Sequence, residues 1–473
     1  MWVPSLDGRS PVRYLAIVEA LADAIAAGDL RPGERLPTHR DLAWRLGLNV
    51  STVTQAYREA ARRHLVSGEV GRGTYVLAAS REAALFGLRA VTAEDGAPID
   101  LSTNVPAVDP EAADLAATLA AVAAEGRVDA ALAYHSPALL RRAGIAGAAW
   151  LAARGLHLRP ADVVPCAGAQ AALTAVLVQL CAPGEPVLVE DLAFPGLKAA
   201  ARWLRLPLHG VAMDGEGVLP EALDRAVRAT GARVAVLVPN LQNPTGAVMG
   251  PARQAEVADV VRRHGLWLVE DDVYGALTGR PPLAALVPER GVLVTSLSKT
   301  VASGLRFALI AGACAPVREL AGQIHATSWP MAPLLAEVAC RWIEDGTAAR
   351  RLAWQRAEIA ARHAQARRAL PGLVAPESGP GAQPASPHLW LPRDGDADAL
   401  AARCRAAGVE VVAGDLFAVT REAPQGLRLS LAAASSRAEL AEALARLGHV
   451  LGGQNGSKES LSVSRSENTV PSS

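Results

Sequence analysis

The sequence predicts an α/β protein in which a small helical domain precedes a large domain built on a mainly parallel sheet. A chain of 473 residues is too long for one ordinary core, so it predicts two or three domains. Residues 10–77 combine helical periodicity with short β-prone pieces. From about residue 99 to 450, apolar runs that lack the alternation of half-solvated strands are separated by helical stretches. That pattern is typical of a parallel sheet covered by helices on both faces.

The first two helices of the small domain have clear start and stop signals. Ser10-Pro11 is a cap followed by proline at the first helical position, and Gly28 ends the periodic stretch. Thr38 and Asp41 have the spacing of a capping box at the start of the second helix, which Gly47 closes. These signals predict two helices separated by a short connection.

The third helix and the segment behind it indicate DNA binding. The helix starts near Asn49 and has apolar residues from Val53 to Ala60 on one face, and two β-prone pieces enclose Gly71-Arg72-Gly73 as a hairpin tip. In a winged helix-turn-helix the third helix enters the major groove of DNA and the wing reaches the minor groove. Residues 1–77 hold ten arginines against eight acids, a positive excess that agrees weakly with DNA binding. A small helical dimerisation module with solvated arginines is the alternative.

Three segments of the small domain, 28–43, 51–57 and 71–76, closely resemble the winged helix-turn-helix of GntR-family transcription regulators. The resemblance implies binding to a double-stranded DNA operator. The residues that it assigns to the DNA-facing surface are Arg40, Ser51, Thr52 and Thr54, with Arg72 and Gly73 at the wing tip. The chain departs from the family at Val50, where arginine is common, and at His64, where glycine is common. The operator sequence therefore does not follow from the family.

The domain boundaries follow from changes in composition. The DNA-binding domain is predicted for residues 1–78, a linker with little apolar periodicity for 79–98, and the large domain for 99–451. One short helical piece is expected in the linker around Glu82–Arg89. Residues 452–473 are rich in Ser, Gly and Asn, which predicts a disordered tail.

Composition argues against several classes of protein. The chain contains no run of 18 uncharged apolar residues and no charged-then-apolar start, so neither a membrane span nor a secretion signal is expected. Five scattered cysteines without metal-ligand spacing predict reduced thiols and no metal site. The formal net charge of zero neither proves nor excludes a nucleic-acid partner. We expect a cytoplasmic protein that is nucleoid-associated when it binds DNA.

Five apolar runs predict strands of the large sheet. They are Pro186–Glu190, Val234–Val238, Leu266–Glu270, Val292–Thr295 and Phe307–Ala311. Ligands of such folds bind beyond the carboxyl ends of the strands. Three of the predicted strands are followed at their carboxyl ends by polar segments, which are residues 239–246, 271–274 and 296–299.

Lysine is rare in this chain, and one lysine lies at such a strand end. Lys198, Lys299 and Lys458 stand against 44 arginines, and Lys299 closely follows the run that ends at Thr295. An amine that is retained where arginine serves other cationic needs suggests Schiff-base chemistry, because arginine stays protonated and is not a useful nucleophile. A chance surface lysine at a strand end is the alternative on position alone.

An Asn, an Asp with a Tyr three residues on, and a lysine in this order fit pyridoxal 5′-phosphate (PLP). Its aldehyde needs an amine such as that of Lys299, its pyridine nitrogen needs a carboxylate such as that of Asp271, and its phenolic oxygen needs hydrogen-bond donors such as Asn243 and Tyr274. Its phosphate needs hydroxyls, amides at a helix start and an arginine. The residues that offer these groups are Ser296, Ser298, Arg306 and Gly168-Ala169-Gln170.

Residues 99–450 resemble a fold-type I aminotransferase, and the two halves together are similar to the MocR-type subfamily of GntR regulators. The resemblance implies a smaller C-terminal α+β subdomain, a homodimer swapped head-to-tail, and PLP held by Lys299 as a Schiff base, the internal aldimine. It also implies that Phe194 stacks on the ring, that Arg428 grips an α-carboxylate, and that Tyr134 reaches the partner subunit's site.

Several of these residues have ordinary structural explanations. Asp271 could be an exposed strand-end carboxylate, Arg306 a surface cation and Phe194 plain core. Arg428 could form a structural ion pair. Ala169 stands where the family commonly has a hydroxyl residue, so one phosphate hydrogen bond is expected to be missing.

Two functions of different classes remain. The first is a transcription regulator whose aminotransferase-like domain senses PLP, or an adduct of PLP with an amino compound, and shifts the geometry of two DNA-reading heads. The second is a catalytically active PLP-dependent aminotransferase with an attached front domain. The intact winged helix favours the first, and Arg428 keeps the second open.

Overall fold

The computed structural model describes residues 2–6, 9–27, 29–30, 34–62, 65–69, 73–76, 98–134, 136–326, 331–374, 384–393, 395–420 and 423–452. The chain divides into two units, Met1–Thr92 and Ala93–Ser473, and the division falls within the predicted linker. Most of that linker, with the helical piece around Glu82–Arg89, lies outside the described residues, as do Arg72 at the wing tip and the tail after residue 452.

The described residues of the front unit form three helices and a hairpin. They are α1 (Arg13–Ala27), α2 (His39–Leu46), α3 (Val50–Arg62), β1 (Val66–Glu69) and β2 (Gly73–Val76). The two strands pair antiparallel, with Val66 opposite Val76 and Glu69 opposite Gly73. Helix, turn, helix and hairpin therefore follow one another as the sequence predicts.

The predicted start of the first helix is wrong by a few residues. The Ser10 amide donates to the Glu19 carboxylate at 3.1 Å, and the Ser10 hydroxyl accepts from the amide of Val12 at 3.2 Å. These bonds hold the chain in a turn, and α1 begins at Arg13. The second helix starts and ends where its signals predict: the Thr38 hydroxyl caps α2 by accepting from the Asp41 amide, and Gly47 ends it in the left-handed conformation at φ 63°. Only this half of the predicted capping box is formed, because the Asp41 carboxylate accepts from Arg45 and its other oxygen has no partner.

The core of the front unit lies between α1, α2, α3 and the hairpin. The predicted apolar face of α3 is buried throughout, and the hydroxyl of Tyr57 donates to the carbonyl oxygen of Pro37 at 2.9 Å. That bond connects α3 to the segment just before α2.

Within the described part of the rear unit, seven strands form the main sheet in the order β4-β12-β11-β10-β9-β5-β6. Their bounds are β4 (Val163–Cys166), β5 (Val187–Glu190), β6 (Leu208–Val211), β9 (Val234–Leu237), β10 (Trp267–Asp271), β11 (Gly291–Ser296) and β12 (Ala308–Ala311), with a small hairpin of β7 (Met213–Asp214) and β8 (Gly217–Val218) beside them. Neighbouring strands are parallel except for β12, which is antiparallel to β11 and to β4. The five predicted strands are confirmed, with bounds that differ by one residue at most.

Both faces of this sheet are covered, as the unbroken apolar runs predict. Val187 and Val189 pack into one hydrophobic cluster and Leu188 into another on the opposite side. The helices of the rear unit are α4 (Asp114–Ala124), α5 (Val128–Leu132), α6 (Pro137–Ala152), α7 (Ala169–Leu180), α8 (Pro195–Leu204), α9 (Pro220–Thr230), α10 (Pro251–His264), α11 (Gly275–Thr278), α12 (Ala315–Gln323), α13 (Pro333–Glu344), α14 (Thr347–Ala369), α15 (Ala397–Ala406) and α16 (Arg437–Gly452). Among the helices described here, none is long and apolar enough to cross a membrane.

A smaller α+β subdomain follows the main sheet. Its three-stranded antiparallel sheet has the order β13-β16-β15, from β13 (His388–Pro392), β15 (Val412–Ala413) and β16 (Gly426–Ser430). The start of the rear unit also belongs here, because β3 (Ile99–Asp100) pairs in parallel with β14 (Val409–Glu410). The subdomain is therefore not purely C-terminal: the residues that follow the linker pair with it.

Candidate functional site

The predicted site residues of the rear unit meet at one edge of the main sheet. Strands β4, β5, β9, β10 and β11 all end at this edge, since β12 is the strand that runs the opposite way. The polar segments after β9, β10 and β11 therefore lie next to one another. The start of α7 joins them, because this helix begins directly after β4.

Lys299 ends a short 3-10 helix that continues from β11. Its Nζ donates to the backbone carbonyl oxygen of Asn104 at 2.5 Å. Burial, together with the positive charges of Arg428 and Arg306, lowers the pKa of Lys299 to about 8, and Asp271 partly opposes this shift. The amine is therefore held in a polar pocket, which is not the environment of a chance surface lysine.

Asp271 is the last residue of β10 and only 8% exposed, so it is not an exposed strand-end carboxylate. Its Oδ1 is buried without a hydrogen-bond partner. Burial raises the pKa of Asp271 to about 7, Asp272 adds to the rise, and Lys299 counteracts it. A cationic partner at Oδ1 would return this carboxyl to its ionised form.

A cradle suited to an anion lies at the start of α7. Gly168 precedes the helix at φ 98°, and the guanidinium of Arg306 packs so closely against it that a side chain at this position would collide with the arginine. The hydroxyls of Ser296 and Ser298 are buried and have no partner. Arg306 is exposed on its other side, so it is a surface cation that also reaches the cradle.

Gln170 and Phe194 lie beside this cradle. The Gln170 amide nitrogen donates to the Gly196 carbonyl oxygen at 2.8 Å, which leaves its Oε1 buried without a partner. Phe194 immediately precedes α8 and is half-buried against the hydrophobic cluster of α7. Gly196 makes room for both, since a side chain there would collide with the Phe194 ring and with the Gln170 amide.

Arg428 lies in the centre of β16 and is buried. Its guanidinium donates to Asn243 Oδ1 at 3.2 Å and to the carbonyl oxygen of Ser102, and it stacks 5.1 Å from the centre of the Phe417 ring. Within the described residues no carboxylate pairs with it, and its Nε has no partner. The structural ion pair considered for Arg428 is therefore not formed there, and burial lowers its pKa to about 10.

The bond from Arg428 also orients Asn243. Because the Asn243 Oδ1 accepts from the arginine, its amide nitrogen is the end that remains available for an acceptor. This donor belongs to the same predicted site as the Tyr274 hydroxyl.

Two residues of the site have no counterpart in the sequence predictions. Asn104 Nδ2 donates to the Tyr274 hydroxyl oxygen at 2.9 Å and lies 3.2 Å from His388 Nδ1. His388 in turn lies 3.0 Å from the carbonyl oxygen of Gln242 through Nε2. Asn104 comes from an irregular segment and His388 from a β-strand of the subdomain, so neither follows a strand of the main sheet that could have drawn attention to it.

Two acids next to Asp271 belong to the scaffold. Asp272 is fully buried and forms a bidentate ion pair with Arg154, and the Glu270 carboxylate accepts from the Ala284 amide at 2.7 Å. These bonds hold the end of β10 in place. Asp271 is the acid of this trio that faces the lysine.

Tyr134 lies between α5 and α6 and is 83% exposed. Its assignment to a partner subunit's site stays a prediction, since the described chain is a single copy. The described residues contain no group of three or more His, Cys, Asp or Glu side chains that could hold a metal ion.

The described helical residues predicted to face DNA lie on α2 and α3. Arg40 and Ser51 are exposed, and Thr52 is half-buried. Thr54 donates to the Val50 carbonyl oxygen at 2.8 Å and contacts His39 Nδ1 at 3.1 Å, so its hydroxyl is already engaged within the protein. Gly73 forms the last residue pair of the hairpin before the undescribed tip.

The donor and acceptor set at the sheet edge fits PLP. The described part of the chain has eleven buried side-chain polar atoms without a partner, and six of them belong to this site. These six are on Asn104, Gln170, Asp271, Ser296, Ser298 and Arg428. Buried polar groups are almost always paired, so such a concentration indicates a missing polar ligand.

Comparisons with known proteins agree with both halves of the chain. The family described as "Bacterial regulatory proteins, gntR family" matches residues 13–76, and "Aminotransferase class I and II" matches residues 97–447. A kynurenine aminotransferase from Pyrococcus horikoshii shares the fold of the rear unit, with a TM-score of 0.69 at 22% identity over 80% of this chain and 95% of its own. The fold and site thus define a regulator with a GntR-type head and an aminotransferase-like body.

Two transcriptional regulators match this chain across both of its units. HTH-type transcriptional regulator YdeF from Bacillus subtilis is 29% identical over 95% of this chain and 96% of its own length. The vitamin B6 salvage pathway transcriptional repressor PtsJ from Salmonella typhimurium is 30% identical over 88% of this chain and 93% of its own. This chain belongs to the MocR-type subfamily of GntR transcription regulators.

Proposed function

We propose that this regulator binds PLP as a Schiff base with Lys299, senses PLP or an amino compound that reacts with it, and binds a DNA operator through its front domain. The observation that carries this proposal is the concentration of buried, unpartnered polar atoms around Lys299. In the absence of a ligand each of them costs folding free energy, about 1–3 kcal/mol. A fold kept only as a scaffold would have no reason to retain them.

Different residues would bind different parts of the cofactor. When bound, PLP supplies an aldehyde carbon for a covalent bond to an amine and an electron-withdrawing pyridine ring. Asp271 would pair with the ring nitrogen, and the Asn243 amide and Tyr274 hydroxyl would donate to the phenolic oxygen. The groups that would hold the phosphate are Ser296, Ser298, Arg306 and the amides at Gly168, Ala169 and Gln170, without the hydroxyl that Ala169 lacks.

Arg428 indicates the class of effector. It is a buried cation without a carboxylate partner in the described chain, and its Nε is unpaired. An effector with an α-carboxylate next to its amine would react with the cofactor through the amine and pair with Arg428 through the carboxylate. The name of PtsJ supports a second hypothesis, in which the signal is a form of vitamin B6 itself. Arg428 would then bind no effector carboxylate and would only hold Asn243 and the Ser102 backbone in place.

The path of the chain supports coupling between the two functions. The amine of Lys299 donates to the backbone of Asn104, and Asn104 lies shortly after β3, the first described strand behind the predicted linker. An amine that forms a C=N bond has fewer protons to donate, so this hydrogen bond would change with ligand state. The segment nearest the linker would therefore respond to chemistry at Lys299.

The front domain supplies the output. Exposed Arg40 and Ser51 on α2 and α3 suit contacts with phosphates and base edges, and the wing with Gly73 and Arg72 suits the minor groove. A homodimer, swapped head-to-tail, would present two such heads to two half-sites. In that dimer Tyr134 would reach the partner subunit's site.

The test of the cofactor is spectroscopic. The full-length chain, freed of cofactor and then incubated with PLP, should gain visible absorbance, and borohydride followed by peptide mass analysis should locate the reduced adduct on Lys299. Lys299→Arg should abolish the adduct. Lys198→Arg is the matched control, because the Lys198 amine instead donates to the carbonyl oxygens of Leu416 and Ala418 at 2.9 and 2.8 Å. A wild-type chain that remains colourless with excess PLP contradicts the proposal.

The second candidate function, an active aminotransferase, is favoured by Arg428, which is buried without a carboxylate partner among the described residues and whose Nε has no hydrogen-bond partner. Steady-state turnover with a panel of amino acids and 2-oxo acids distinguishes the two functions. A rate of about 1 per second or more would favour the enzyme, because that is the usual range of enzymatic turnover.

A further inference from the structure

Asn104, Tyr274 and His388 form a buried hydrogen-bond chain beside Lys299. The three side chains are 6%, 3% and 1% exposed. Asn104 lies 2.9 Å from the Tyr274 hydroxyl and 3.2 Å from His388 Nδ1, and His388 Nε2 lies 3.0 Å from the Gln242 carbonyl oxygen. The Tyr274 and His388 rings are also in edge contact, with centroids 5.4 Å apart.

The direction of each bond follows from the fixed end of this chain. A backbone carbonyl oxygen can only accept, so His388 Nε2 carries a proton and donates to Gln242. Burial lowers the pKa of His388 to about 3, with Arg428 and Lys299 acting in the same sense, so the ring is neutral and its Nδ1 must accept. The group opposite Nδ1 is therefore the amide nitrogen of Asn104 and not its oxygen.

This orientation determines what the Tyr274 hydroxyl can do. The second proton of the Asn104 amide nitrogen is donated to the Tyr274 oxygen. The hydroxyl proton of Tyr274 therefore takes no part in the hydrogen bonds among these three side chains. Because the hydroxyl oxygen accepts from Asn104, the hydroxyl is polarised and becomes a stronger donor. Without Asn104, His388 Nδ1 would be an unpaired acceptor next to the tyrosine and would compete for that proton.

We propose that Asn104, oriented by His388, is a positioning residue that reserves the Tyr274 hydroxyl proton for the ligand of this site. The proposal rests on the proposed function, since the acceptor would be the phenolic oxygen of PLP. The Tyr274 hydroxyl would stabilise negative charge on that oxygen, and the Lys299 nitrogen, when linked to the cofactor, would then bind its proton less tightly. The arrangement thus sets the protonation of the linkage on which the proposed sensor depends.

The readout is the pH titration of visible absorbance in the PLP-loaded full-length chain. Asn104→Leu keeps the volume and removes the donor, so the apparent pKa of the linkage should rise by about one unit, about tenfold in proton affinity. His388→Leu, on another element, should shift it in the same direction by allowing the amide to turn. Thr103→Ala, the control next to Asn104, should leave it unchanged.

A change in local charge cannot produce this result. The charged groups that face Lys299 are Arg428, Arg306 and Asp271, with His388 also close, and neither leucine substitution alters a charge, since His388 is neutral. Tyr274→Phe removes the hydroxyl itself and should raise the same pKa. In the Tyr274→Phe background, Asn104→Leu should not change the pKa of the linkage further, because Asn104 acts only through the Tyr274 hydroxyl proton.

The outcomes separate the two proposals. If the leucine variants bind PLP and titrate like the wild type, or if Asn104→Leu still shifts the pKa without the Tyr274 hydroxyl, the positioning role is wrong and PLP binding stands. If the wild-type chain does not bind PLP, the proposed function fails first. The positioning role is supported if both leucine variants raise the pKa of the linkage and if the rise disappears in the Tyr274→Phe background. If one leucine variant folds poorly, the other still gives the test.

Discussion

The surface of the front unit that is predicted to face DNA and the candidate site of the rear unit present polar groups in opposite ways. Arg40 and Ser51 are exposed, and Thr54 already has its hydrogen bonds within the protein. In the rear unit, Asp271, Ser296 and Ser298 are buried and have unpaired atoms. Of the buried unpaired atoms in the described front unit, Asp41 Oδ2 is the single example.

The difference corresponds to two kinds of ligand. DNA is a large polyanion that is met by exposed cations, and much of its binding free energy comes from released counterions. A small cofactor is enclosed, so the protein must desolvate its binding groups in advance. We therefore expect substitutions in the rear site to have large effects that depend little on salt, and substitutions on the front surface to have smaller effects that depend strongly on salt.

The largest effect should come from pH acting on the rear site. The neutral amine of Lys299 is the nucleophile, and a pKa lowered to about 8 means that its fraction rises roughly tenfold per pH unit below that value and levels off above it. The rate of PLP capture should therefore increase about fiftyfold from pH 6 to pH 8. Stopped-flow absorbance measures it, and a rate that keeps rising up to pH 10 would mean that the amine is not desolvated.

Asp271→Asn should weaken PLP binding about thirtyfold, since a hydrogen bond to a charged group contributes about 2 kcal/mol. The loss should be the same at low and high salt, because the carboxyl is buried. Asp191→Asn is the control, because Asp191 directly follows strand β5 of the same sheet but its carboxylate accepts from the Thr420 hydroxyl at 3.1 Å. Fluorescence titration gives both dissociation constants, and equal losses in the two variants would contradict the assignment.

Arg428→Gln should reduce the preference for an amino acid over its decarboxylated amine about tenfold, because the variant loses the buried cation opposite the carboxylate. The spectral shift of the PLP-loaded chain on adding each ligand measures this preference. Arg437→Gln is the control. Arg437 is more exposed and pairs with Glu358, so its substitution should leave the preference unchanged. An unchanged preference in Arg428→Gln would mean that the effector lacks a carboxylate contact.

The smallest effect should be on the front surface. Arg40→Ala should weaken operator binding about fivefold at moderate salt and lower the slope of log affinity against log salt by about one. Arg9→Ala removes the same charge from an arginine that is paired with Asp23 at 2.6 Å, so it serves as the matched control. Binding to the upstream region of the gene, measured at several salt concentrations, tests this, and equal slopes for both variants would mean that α2 does not contact phosphate.

The predictions from sequence succeeded where a local pattern has a local cause. The capping pair Thr38 and Asp41, the left-handed Gly47 and the unbroken apolar strands each depend on neighbours in the chain. The start of α1 was misplaced because Ser10 bonds to Glu19, whose side chain comes from the next turns of the helix. Pattern rules do not contain that bond.

The sequence by itself determined the two domains, the order of helices and strands, and the residue types at the ends of β9, β10 and β11, because these features depend on periodicity and on adjacent residues. Only the tertiary structure decided which side chains share a pocket. Asn104 and His388 lie far apart in the chain, 284 positions, and they meet at Tyr274 because the first and last parts of the rear unit fold onto one subdomain. Contacts between distant segments follow from how whole layers pack, and no local pattern encodes them.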